Sequence, residues 1–160
     1  TSVQLLRVLL HKRYGVAARF ERLHGGVNDL SGFDAVLLIG DEALQANKNG
    51  LPGFDLVYDL AREWYEWQKL PFVFAVWAVK KSMTPEDRAR LTDALVGSLE
   101  KSSTDYAAVG RVHGRRIGLT DAETAEYLDG FNYSLGERER EAIRKFAALV
   151  GEEEQSRVKS

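Results

Sequence analysis

Apolar residues recur along this chain with two spacings, one helical and one continuous, and the change between them outlines the predicted elements. Val3, Leu5, Leu6, Val8, Leu9 and Leu10 follow Thr1 and Ser2, which stand where a helix N-cap belongs, and Gly15 supplies the stop. "AARFERL" (Ala17 to Leu23) reads as a short strand, and "HGGVNDLSGF" (His24 to Phe33) reads as a loop. "DAVLLIGDEAL" reads as a buried strand that breaks at Gly40. After a Gly- and Asn-rich loop, "FDLVYDL" predicts a strand entering a helix at Asp59, on which Leu60, Trp64 and Trp67 share one face. The run "KLPFVFAVWAVKK" then carries no polar side chain between Leu70 and Val79 except the indole of Trp77. A half-exposed strand would alternate, so this run predicts a strand starting at Pro71 and covered on both faces.

From Ser82 onward the pattern is helical only. "TPED" (Thr84 to Asp87) combines an N-cap, Pro at the first helical position and an acid two residues later, ahead of Leu91, Leu95 and Leu99. "TDAE" (Thr120 to Glu123) and "SLGE" (Ser134 to Glu137) predict two further capping boxes. Their helices present Tyr127, Leu128 and Phe131, then Ile143, Phe146, Ala147 and Val150. "HGRR" (His113 to Arg116) reads as a solvated turn, and the polar tail from Gly151 is expected to fray. Helix, strand, loop and strand in this order predict an α/β chain with a parallel sheet, dividing near residue 80 from a helical C-terminal part.

Composition narrows the chemistry. With 160 residues, 44% hydrophobic and 29% charged, the chain suits one globular domain or two small lobes. A net charge of -2 and a pI near 5.9 give no bulk attraction for nucleic acid or an anionic membrane. Absence of cysteine closes disulfides, thiolate metal sites and cysteine nucleophiles. The longest apolar run is far shorter than the roughly 20 residues of a membrane-spanning helix, which predicts a soluble chain. His11, His24 and His113 lack the short spacings of metal ligands, so no metal is expected, and no hydrolase elbow, P-loop or dinucleotide fingerprint is present.

Two stretches could receive an anion. Thr1 and Ser2 lead a helix whose first N–H groups are free, which makes either a carboxylate site or a plain N-cap. Gly40 and Asp41 end a predicted strand, where ligands of open α/β sheets gather, although the plainer reading is that Asp41 caps the next helix. The chain opens inside a helix without an initiator Met, which leads us to expect a piece of a longer protein.

Taken together, "TSVQLLRVLL", "DAVLLIGDEAL", "YDLAREWYEWQKLPFVFAVWAVKK" and "YLDGFNYSLGERERE" resemble the chorismate dehydratase family of the futalosine route to menaquinone. The resemblance covers nearly the whole chain and is most specific from Asp59 to Trp77. It implies a periplasmic-binding-protein-like type II fold, two α/β lobes around a cleft. Residues 1–70 would form the second lobe, 71–81 a crossover strand, and 82–160 a helical part packing on a first lobe that is incomplete here. It implies a cytoplasmic lyase that removes water from chorismate to give 3-[(1-carboxyvinyl)oxy]benzoate, with no metal or organic cofactor. Thr1, Ser2, Gly40 and Asp41 would line the cleft as substrate-binding residues, with Tyr58 and Asp59 as weaker candidates, and no catalytic acid or base is assigned. Trp77 would be packing or hinge material rather than a platform for a ligand. On this template the 160-residue chain alone is expected to be inactive, with exposed apolar surface that favours a homodimer or aggregation. The alternatives are a noncatalytic solute-binding or sensor domain of the same fold, or the sister 1,4-dihydroxy-6-naphthoate synthase.

Overall fold

A computed structural model describes residues 1–24, 27, 30 and 32–158. Among these, the α-helices are α1 (Ser2–Val8), α2 (Asp41–Asn49), α3 (Leu60–Gln68), α4 (Pro85–Ser103), α5 (Tyr106–His113), α6 (Asp121–Asp129) and α7 (Glu137–Val158). A π-helical turn, Leu9–Arg13, continues α1, and a 3-10 turn, Gly114–Ile117, follows α5. The chain divides into two compact units, one of Thr1–Ala75 with Leu135–Ser160 and the other of Val76–Ser134.

The first unit is organised around Trp64. Its indole is fully buried with Leu5 and Leu9 of the first helical stretch, and Leu60, Trp67, Phe72, Phe146 and Leu149 pack around them. Trp67, Phe72 and Phe146 meet Trp64 edge to face, with ring centroids 6.1, 5.5 and 5.8 Å away. That geometry sets the positive ring edge against the negative face and adds to the burial of area. The sequence places Leu60, Trp64 and Trp67 on this face because they fall at i, i+4 and i+7. Helix α3 begins where expected, with the Asp59 carboxylate accepting the Arg62 N–H at 2.8 Å. It ends at Lys69, whose left-handed φ of 57° is unusual for a residue with a Cβ. Arg138 of α7 donates to the Lys69 carbonyl at 2.8 Å and ties this end down. Gly15 stops the first helix with φ 66°, the backbone freedom that the sequence reading asked of it.

The predicted strands behave differently. No ladder forms among the described residues, whose one isolated bridge joins Leu51 and Phe54. "AARFERL", "DAVLLI", "FDLVY" and "PFVFAVWAV" lie outside regular structure, so the described residues are helical and irregular rather than an α/β sheet. Strand propensity prepares a segment for a ladder but cannot supply its neighbour, and no described segment offers these backbones a partner at about 4.8 Å. The run from Leu70 is correspondingly uneven. Leu70 is buried and Phe72 packs on the Trp64 cluster, whereas Trp77 is 82% exposed and Val76 is exposed too. Full coverage on both faces, expected from its lack of alternation, is therefore not observed.

In the second unit, α5 and the 3-10 turn after it pack closely on α6 through two glycines. A Cβ at Gly110 would lie 2.9 Å from the Asp121 Cα, 3.0 Å from its carbonyl oxygen and 3.1 Å from the Thr124 Cβ. Gly114 likewise faces Thr124. The N-terminal signals read from the sequence are in place. Thr84 accepts the Asp87 N–H at 3.1 Å with Pro85 behind it, and Thr120 and Glu123 form a reciprocal capping box. "SLGE" is a correction: α7 starts at Glu137, and Glu139 reaches back 2.9 Å to the Gly136 N–H. The box is thus set two residues later, with Gly at the cap and only its acidic half present. The tail is another correction, because α7 stays helical from Gly151 to Val158, with Glu152 and Glu153 held by Lys12 and His11. The loop expected at His24 to Phe33 falls largely outside the described residues.

Gly110→Ala should destabilise the chain by about 1–3 kcal/mol, since backbone must move to admit the methyl group. Gly97→Ala, mid-helix in α4 with open space at its Cβ, should instead stabilise by up to about 1 kcal/mol. Denaturant unfolding midpoints of the two variants should move in opposite directions.

Candidate functional site

The sequence points to helix N-termini, and the structure lets their electrostatics be compared. Thr1 is the exposed N-cap of α1; its carbonyl accepts the Leu5 N–H at 2.9 Å, while its hydroxyl makes no capping bond. Ser2 is the first helical residue and is half-buried. No acid occupies the first turn of α1. At α2, Gly40 is the N-cap with φ 66°, and Asp41 and Glu42 fill the first turn. Free N–H groups and the positive end of a helix attract an anion, but carboxylates already there repel one. Of the two N-termini, α1 thus holds no competing carboxylate, while Asp41 and Glu42 complement α2 itself.

Asp59 is committed to capping α3, and the Tyr58 side chain stands exposed before it. Among the described residues, no hydrogen bond or ion pair joins Thr1 or Ser2 to Gly40, Asp41, Tyr58 or Asp59. No group of three His, Cys, Asp or Glu side chains converges as a metal site among them either.

A cluster that the sequence reading did not identify lies where the π-helical turn meets α3. Arg13 donates to the Glu63 carbonyl and pairs with the carboxylates of Glu63 at 3.0 Å and Glu66 at 3.1 Å. The Tyr14 hydroxyl donates to Glu63, and the Arg13 guanidinium stands 5.1 Å from the Tyr14 ring centre. The one available signal was the basic triplet His11, Lys12 and Arg13 at a helix end, where cations complement the dipole. The hydrogen bond to Glu63 raises the Tyr14 pKa above 10.0, with partial desolvation and the Glu63 charge adding to it and Arg13 opposing.

The second unit holds a shallow open groove lined by Val96, Leu99, Glu100, Tyr106 and Tyr133, among others. Burial raises the pKa of Tyr133 first, and Tyr106 and Tyr127 add to it. None of the substrate-binding candidates Thr1, Ser2, Gly40 and Asp41 lies in this groove.

Residues 1–152 match the family described as menaquinone biosynthesis. The chain is also 36% identical over 164 aligned positions to a protein of Thermus thermophilus named chorismate dehydratase. That similarity takes in 94% of this chain and 59% of the relative's length.

The Tyr14 interaction yields a stability prediction with a definite sign. A phenol whose folded pKa is raised keeps its proton when the unfolded chain has lost it, so its contribution is full below pH 10.0 and is lost as pH rises through the higher folded value. Thermal unfolding followed across this range should show a loss of stability at alkaline pH that Tyr14→Phe makes shallower.

Proposed function

Because the chain belongs to the menaquinone biosynthesis family, we propose that its protein is a chorismate dehydratase, a lyase of the futalosine route that acts in the cytoplasm. The observation that carries this reading is the 36% identity to a chorismate dehydratase across 94% of the chain. The reaction releases one water from chorismate, as the ring hydroxyl and a ring proton leave together with the gain of an aromatic ring. Aromatisation supplies much of the driving force. The protein therefore has mainly to bind a dicarboxylate, orient it and present a proton acceptor to the ring carbon that loses its proton.

The N-terminus of α1 suits one of the two carboxylates, with the hydroxyls of Thr1 and Ser2 as donors and no acid in the turn to oppose the charge. Gly40 and Asp41 belong on the edge of the same cleft in this proposal. The fold that goes with it is the two-lobed α/β periplasmic-binding-protein-like type II architecture. In it, the apolar run 71–81 crosses between lobes and the unpaired strand-like segments take their places in sheets. Exposed Leu56, Val57 and Trp77 support this, since such residues belong in covered positions.

A protein as long as the Thermus thermophilus relative that contains this chain should consume chorismate and release 3-[(1-carboxyvinyl)oxy]benzoate. Tight binding of chorismate with no turnover would sink the lyase reading in favour of a solute-binding role. Within that protein, Ser2→Ala should raise KM by about 10-fold or more, the loss expected for a hydrogen bond to a charged group, with steady-state kinetics on chorismate as the measurement.

A further inference from the structure

Helix α1 does not finish as an α-helix. It passes into the five π-helical residues Leu9–Arg13, where the Tyr14 N–H donates back five residues to the Leu9 carbonyl at 3.1 Å. A π turn takes in one residue more than an α turn and is rare, so contacts outside the helix have to favour it. Here three successive side chains of the turn have acid partners on two other helices. His11 is hydrogen-bonded with Glu153 of α7, Lys12 pairs with Glu152 of α7 at 3.1 Å, and Arg13 pairs with Glu63 and Glu66 of α3. The extra residue sets α1 out of phase with a continuous α-helix by one residue, about 100° around the axis and about 1.5 Å along it.

The sequence offers an apolar face in both phases. Leu5, Val8 and Leu9 are buried, and the residue after each that would replace it, Leu6, Leu9 and Leu10 respectively, is a leucine. With Tyr14 held in place, relaxation of the wide turn to α geometry passes every buried position to the residue one later. Leu6 and Leu10 are half-buried in the structure, next to the positions they would take. We propose that α1 is a two-register helix, with the wide-turn register selected by the acid partners on α3 and α7 and the relaxed register burying Leu6, Leu9 and Leu10. On the reading given under Proposed function, and only for this consequence, the same change would swing Thr1 and Ser2 away from a bound carboxylate.

The chain has no cysteine, so Leu5→Cys and Leu6→Cys each introduce a single thiol whose labelling by a neutral reagent reads burial. Glu63→Gln combined with Glu153→Gln removes an acid partner from each side without altering the turn. Labelling at position 6 should then slow by about tenfold and labelling at position 5 speed up by a similar factor, as a population shift between two registers requires. General loosening cannot slow labelling, so acceleration at both positions, or no change at either, overturns the proposal. If Leu5→Cys does not fold, Leu10→Cys takes its place and should gain protection together with position 6; failure of both to gain it is equally fatal. The measurement needs no ligand, so its outcome is separate from whether the protein acts on chorismate.

Discussion

Burial of the Trp64 indole is the constraint on which the first unit depends. An indole is too large to cover from one side, and here it is enclosed by Leu5 and Leu9 from the first helical stretch, Phe72 from the apolar run and Phe146 from α7. Segments more than 140 residues apart in sequence thus share one core, and that sharing brings the distant acids of α7 beside His11 and Lys12. The polar contacts around α1 are consequences of this apolar one. Exposed ion pairs contribute little on their own, typically below about 1 kcal/mol, and need a core to hold their partners in reach.

What could be read in the sequence follows the range of the interactions concerned. Caps at Asp59, Thr84 and Thr120 act over three residues, so their letters suffice, and the same holds for the apolar face of α3. Strands are cooperative with a neighbour. The residues of "FDLVY" and "PFVFAVWAV" state a preference that only a paired backbone can realise, and none of the described segments provides one. Sequence could not show that α7 extends through a tail rich in glutamate, because the side chains that hold Glu152 and Glu153, Lys12 and His11, lie about 140 residues away. Nor could it show a π turn, since the apolar pattern of residues 3–10 is dense enough to fit more than one helical phase.

For the candidate site, residue type alone could not rank α1 against α2. Both start with small or polar residues and both have free N–H groups. The difference lies in which charges the first turns already hold, and Asp41 and Glu42 make α2 self-sufficient. Asp59 illustrates the same economy, since its carboxylate is occupied by the Arg62 N–H and is less available for other chemistry.

The uneven exposure of the tryptophans has an optical consequence. Trp64 is fully buried and Trp67 partly so, while Trp77 stands almost wholly in solvent, so the blue side of the chain's emission spectrum belongs to the first two and the red side to the third. A polar quencher in solution reaches Trp77 and not Trp64. The apolar run thereby carries its own gauge of coverage: whatever comes to lie over it, strand or partner, announces itself as a blue shift and a loss of quenching at a single indole.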